Sequence, residues 1–149
     1  MTNSNLLDIA ENFGKPVYVY ESKKISAQYE RLTSAFAGVN SLRINYATKA
    51  LSNISVLKFM QHLGAGLDTV SIQEVQLGLN AGFEPKAIIY TPNGVSLNEI
   101  EEVTKLGVQI NIDNLSLLEQ FGSRHPNTPV CIRINPHVLA GGNTNISVG

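Results

Sequence analysis

Five short runs rich in β-branched and aromatic residues, each followed by a stretch with helical spacing, dominate the chain after Gly38. They cover residues 42–47, 66–70, 87–91, 108–112 and 129–135. Their centres fall roughly 20 to 25 residues apart, the spacing of βα units joined by short connections. Helices are expected between them over 54–63, 72–80, 96–106 and 115–121. Asn53, Ser71, Ser96 and Asn114 stand where a side chain can accept a bond from an orphan amide at each helix start. Gly64, Gly82, Gly107 and Gly122 stand where glycine ends helices. Most of the strand runs are continuously apolar, as a sheet covered by helices requires. No residue signature recurs with the period, so the pattern is not a solenoid.

Two architectures suit successive βα units: a doubly wound sheet and a (β/α)8 barrel. The first calls for a glycine-rich phosphate loop after its first strand. This chain has Thr48-Lys49-Ala50-Leu51-Ser52 there, and neither a dinucleotide fingerprint nor a Walker loop occurs elsewhere. A TIM-like α/β barrel is therefore expected. A closed barrel needs eight strands and about 250 residues, whereas five strands fit here, so the 149 residues are expected to be the N-terminal part of a longer protein. Ahead of the barrel, a helix over 5–13, a break at Gly14-Lys15-Pro16, a strand over 16–20 and a helix over 21–36 are expected. That helix carries Ile25, Tyr29, Leu32 and Phe36 on one stripe, with Gly38 as its stop. The expected division is residues 1–37, then an incomplete barrel over 38–149.

Composition narrows the partners. A net charge of −1 gives no reason to expect nucleic acid or an anionic membrane, and no apolar run approaches the roughly 18 residues of a membrane span. The start of the chain lacks a signal-peptide pattern, and a cytoplasmic protein is expected. The single cysteine, Cys131, excludes an internal disulfide framework, and its apolar surroundings suggest a buried structural thiol.

Of seven lysines, six fall in turns or on helices that need solvated faces. Lys49 alone stands at the carboxyl end of an expected strand, the edge where βα barrels place their active sites. An amine desolvated there is suited to Schiff-base chemistry; the alternative is a lysine snorkelling out of the barrel mouth or paired with a carboxylate such as Asp68. Asp68 ends the next strand and can orient a cation beside Lys49 or form a structural ion pair. Arg133, inside the fifth strand, needs an anionic partner if buried: a ligand, or Asp68 or Asp113. His62, His125 and His137 lack metal-ligand spacing, so no metal site is expected; only His137 falls near a barrel mouth. Ser71 and Glu74 suit a helix cap and a first-turn acid.

Pro16-Val17-Tyr18-Val19-Tyr20 followed by Tyr46-Ala47-Thr48-Lys49-Ala50 resembles the start of the fold-type III pyridoxal-phosphate decarboxylases, whose strand-end motif is Tyr-Ala-Val-Lys-Ala-Asn. Residues 64–71, 90–96 and 132–136 support the resemblance in the family's order, through most of the chain. It points to the branch acting on meso-diaminopimelate, since ornithine and arginine decarboxylases differ from Thr91-Pro92-Asn93-Gly94 and alanine racemases follow their lysine differently. The resemblance implies pyridoxal 5'-phosphate held by Lys49, with Asp68 and Arg133 shaping the cofactor site. It also implies a small amino-acid substrate, decarboxylation to lysine, and a homodimer when full length. A stacking histidine, a glycine-rich phosphate loop, a glutamate facing the pyridine nitrogen and a C-terminal β domain are implied beyond Gly149. On that basis this stretch alone is expected to be inactive, with residues 16–20 lying toward the β domain. Two departures stand out: Thr48 replaces valine, and Leu51 replaces asparagine beside Lys49. Other readings are a decarboxylase of another basic amino acid, a non-catalytic pyridoxal-phosphate barrel, and an interaction module.

Overall fold

The computed structural model describes residues 1–134. The chain falls into two compact units, Met1–Leu42 and a second that begins at Arg43. The first holds α1 (Asn3–Phe13) and α2 (Ser22–Ala35). Thr2 and Asn5 form a reciprocal capping box at the start of α1, satisfying two orphan donors at once. Neither helix has a buried residue. The expected strand over 16–20 is not formed. Val17 to Tyr20 are unpaired, with Tyr18 88% exposed, because β propensity yields a strand only where a partner offers its backbone. Helix α2 ends at Ala35, and Gly38 does not adopt positive φ, so that glycine is not its stop.

The second unit runs β1 (Asn45–Ala47), a 3-10 turn (Thr48–Ala50), α3 (Ile54–His62), β2 (Gly66–Thr69), α4 (Ile72–Asn80), a 3-10 turn (Pro85–Ala87), β3 (Ile88–Tyr90), α5 (Leu97–Thr104), β4 (Gln109–Ile112), α6 (Leu115–Arg124) and β5 (Val130–Ile132). All four foreseen caps form: Asn53, Ser71, Ser96 and Asn114 each accept from an amide in the first turn. Gly64, Gly82 and Gly107 take the positive φ of helix ends. Helix α6 instead runs through Gly122 to Arg124; a glycine inside a helix costs only about 1 kcal/mol, so it weakens a helix without ending it.

The strands form one parallel sheet in the order β1-β2-β3-β4-β5. A doubly wound sheet reverses direction at a switch point; this one never does, and sequential order is that of a barrel's first five strands. The register sorts the side chains into two faces. Leu67, Thr69, Ile88, Tyr90, Ile110 and Ile112 lie on one and are fully or nearly fully buried. With Leu57, Val75, Ile100, Val103 and Phe121 from the helices they form the core. Gly78 of α4 lets that helix approach closely: a Cβ there would stand 2.6 Å from Leu67 Cδ1. Ile132 is of the buried parity yet 58% exposed, no helix covering β5 among the described residues.

The opposite face carries Asn45, Ala47, Asp68, Ile89, Gln109, Asn111 and Cys131. Its residues are half-buried or exposed. Cys131 is exposed, not buried as expected, because among the described residues β5 has a neighbour on one side only. Gln109 Nε2 donates to its sulfur at 3.1 Å.

Candidate functional site

The carboxyl ends of β1 to β4, with the turns after them, make the edge that bears Lys49. Strand β1 stops at Ala47 and the chain tightens into the 3-10 turn over Thr48–Ala50. Burial alternates sharply along that turn. Thr48 is fully buried, while Lys49 is exposed and so not desolvated among the described residues. Leu51 N donates to the Thr48 carbonyl at 3.1 Å, and Tyr46 Oη donates to the Leu51 carbonyl at 3.1 Å. Beyond it Asn53 Oδ1 accepts from Ser55 N and Val56 N at 3.0 and 3.3 Å.

Asp68 is half-buried on the adjacent strand, level with Ala47 and so two residues before Lys49. The turn after β2 is closed by acids. Glu74 Oε2 accepts from Val70 N at 2.8 Å, and Ser71 Oγ accepts from Glu74 N at 3.2 Å. Ser71 and Glu74 are thus a cap and a first-turn acid. Glu99, from α5, reaches across: its Oε1 accepts from Ile72 N at 3.4 Å and from Tyr90 Oη at 2.6 Å. Burial, then the Glu99 hydrogen bond and charge, push the Tyr90 phenol up, so it stays a neutral donor. Three elements are tied together by one carboxylate on the helix side of the sheet.

On the open face, Asn111 Nδ2 donates to Thr91 Oγ1 at 3.0 Å. Asn111 Oδ1 is buried with no partner among the described residues. A polar groove of about 500 Å³ lies nearby on the same edge, lined by Asn93, Gly94, Asp113, Asn114, Ser116 and Gln120. A second cavity of about 500 Å³, lined by Lys86, Gly107, Gln109, Pro129 and Cys131, opens at the amino ends of β4 and β5, the edge that serves stability in barrels rather than chemistry.

Arg133 comes directly after the last residue of β5; its amide donates to the Ile112 carbonyl at 2.9 Å. It is exposed, so the expected cost of burying a guanidinium does not arise. Three strand spacings, roughly 14 Å, separate β5 from β2, and neither Arg133, Asp68 nor Lys49 makes an ion pair among the described residues. The alternatives of a Lys49–Asp68 or Arg133–Asp68 bridge are not realised. His62 ends α3 and His125 caps α6, where it meets Glu101 at 3.1 Å and stacks on Phe121. His137 lies outside the described residues. No group of three or more His, Cys, Asp or Glu side chains able to hold a metal occurs among the described residues.

Sequence periodicity points to Lys49 and Asp68 because strand ends can be counted. The Tyr46–Leu51 bond escapes it, since no helical or strand period relates those residues, while Thr91 and Asn111 follow the Tyr90–Ile110 pair of the β3–β4 ladder and meet only once that register is set. Tyr46 stands in the motif itself, and its spacing from Leu51 across a strand–turn junction is the one signal the sequence carries.

A sequential parallel sheet with a lysine in the turn after its first strand defines a class. Residues 22–149 match the family described as pyridoxal-dependent decarboxylase, pyridoxal binding domain, and the chain belongs to that family. Pyridoxal phosphate is the cofactor this membership implies. Among curated relatives, diaminopimelate decarboxylase of Methanothermobacter thermautotrophicus is 34% identical over 148 residues, 98% of this chain and 35% of that protein. Among solved structures, diaminopimelate decarboxylase of Helicobacter pylori complexed with L-lysine superposes with a TM-score of 0.78 at 34% identity, covering 90% of this chain and 35% of the other. Lysine/ornithine decarboxylase of Vibrio vulnificus, complexed with putrescine, shares the fold with a TM-score of 0.78 at 24% identity. The chain spans about a third of the length of the relatives it matches.

The residues present fit the aldehyde end of that cofactor. An exposed amine without an ion pair among the described residues is offered from a tied turn, with a half-buried carboxylate one strand away. They offer less to its phosphate: at α4 the amides of Ile72 and Glu74 are taken by Glu99 and Ser71.

Proposed function

We propose that this chain supplies the cofactor-attachment part of a longer decarboxylase that converts meso-diaminopimelate to L-lysine. Lys49 holds pyridoxal phosphate through its amine, with Asp68 and Arg133 shaping the cofactor site. When bound, the cofactor supplies an electron sink for the electron pair left by departing carbon dioxide. The chain's own residues would do the rest: Lys49 would hold the cofactor through its Nζ, and that Nζ, when not so engaged, would carry a proton. Asp68 supplies negative charge beside that amine, and Arg133 a cation for an anionic group. The full enzyme is read as a cytoplasmic homodimer, residues 1–37 as packing toward its second domain, and this stretch alone as inactive.

The placement of Lys49 carries the reading: an exposed amine on the carboxyl edge of a parallel sheet whose order is that of a barrel. The test is borohydride reduction of the cofactor-loaded full-length enzyme and then peptide mapping. The label is expected on Lys49, and Lys49→Ala is expected to lose the visible absorbance of bound cofactor. An unchanged spectrum sinks the assignment. Lysine released from meso-diaminopimelate supports the substrate; putrescine from ornithine, with none from diaminopimelate, replaces it with the other branch.

A further inference from the structure

We propose that Tyr46 is a positioning residue for Lys49, its hydroxyl closing the turn that presents the amine; this rests on Lys49 being the attachment lysine. Tyr46 is the middle residue of the three-residue β1, which pairs with β2 alone among the described residues. Among the described residues no second strand steadies the turn at the end of β1. The Tyr46 Oη crosses that turn to the Leu51 carbonyl at 3.1 Å, and within the bracket Leu51 N closes onto the Thr48 carbonyl at 3.1 Å. The buried Thr48 side chain anchors the turn from below, and Asn53 fixes the chain beyond it as the cap of α3.

Within this interval the backbone of Lys49 is held on both sides while its long side chain is exposed. An amine that must meet an aldehyde at one place, let go, and return needs a fixed Cα and a free stem. The clamp supplies the first without restricting the second. It also accounts for how Leu51 is accommodated. The bond at position 51 is accepted by the main-chain carbonyl, so a leucine side chain there does not remove it.

The experiment compares full-length wild type, Tyr46→Phe and Thr48→Val, each loaded with pyridoxal phosphate. Loss of one neutral hydrogen bond changes the closed-turn population about two- to tenfold. Tyr46→Phe is expected to lose cofactor affinity by that factor, to exchange the Leu51 amide faster, to shift the pH midpoint of the visible band, and to lower kcat more than it alters KM. Thr48→Val keeps the shape of the buried anchor and removes only a hydroxyl without a hydrogen-bond partner among the described residues, so it keeps the wild-type pH midpoint. Wild-type affinity, exchange and pH midpoint in Tyr46→Phe overturn the clamp. If Tyr46→Phe does not fold, exchange in the unsubstituted enzyme decides: a Leu51 amide without protection overturns the clamp, and a protected one supports it. Borohydride label absent from Lys49 refutes the attachment reading instead; label on Lys49 with an unaltered Tyr46→Phe refutes only the clamp.

Discussion

Two threonines in the second unit are fully buried, and replacing each with valine is expected to have opposite consequences. Thr48 Oγ1 has no hydrogen-bond partner among the described residues, whereas Thr69 Oγ1 donates to the Ile89 carbonyl at 2.9 Å. Valine keeps the shape and removes the hydroxyl. At Thr48 this relieves a desolvation penalty of about 1–3 kcal/mol, and at Thr69 it forfeits a bond worth about 0.5–1.5 kcal/mol. Thr48→Val is therefore expected to stabilise by about 1–2 kcal/mol, a rise in Tm of about 3–6 °C for a chain of this size. Thr69→Val is expected to lower Tm by about 2–5 °C. Urea unfolding checks both, with the midpoint moving and the slope unchanged. Destabilisation by Thr48→Val refutes the reasoning, because it means the hydroxyl is satisfied. The valine of the resembling family motif at this position agrees with the expected sign.

Gly66→Ala is expected to destabilise by about 2 kcal/mol or more: its Cβ would sit on the Asn45 side chain and 2.8 Å from the Ala87 carbonyl oxygen, which is main chain and cannot swing away. Chemical denaturation reads the loss, and a neutral outcome means β2 and the turn before β3 shift apart without cost. The His125 hydrogen bond, and after it Arg124, holds the Glu101 carboxyl below its usual range. A carboxyl depressed in the folded state stabilises above its unfolded value, and that contribution is lost as pH falls through the folded one. Wild type is thus expected to lose stability on acidification below about pH 5 more steeply than Glu101→Gln, the two converging at the acid end. Parallel curves refute the assignment.

Local chemistry makes most of the second unit legible. Asn53, Ser71, Ser96 and Asn114 reveal helix starts because their side chains act on amides two or three residues away. Gly64, Gly82 and Gly107 reveal ends because φ is decided one residue at a time. Gly122 misleads for the complementary reason: nothing at that residue forbids helix, and α6 continues. Residues 16–20 have strand composition and no strand, since pairing is decided by a partner elsewhere. Arg133 and Cys131 have apolar neighbours in sequence that suggest burial, but burial depends on what lies across β5, and both are exposed. At the candidate site, strand counting reaches Lys49 and Asp68. The Tyr46–Leu51 and Tyr90–Glu99 bonds belong to tertiary structure and have no periodic trace.

The sequential strand order also bears on how the chain reaches its fold. Each ladder joins residues roughly 20 apart in sequence, as in Tyr46 with Leu67 and Ile112 with Ile132, and loop-closure entropy stays nearly constant from one ladder to the next. No pairing among the described strands waits for a distant segment to arrive. Parallel pairing closes a loop of this length at every step and is intrinsically slow, yet the turn bearing Lys49 draws its sheet neighbour from β2, the next strand along the chain.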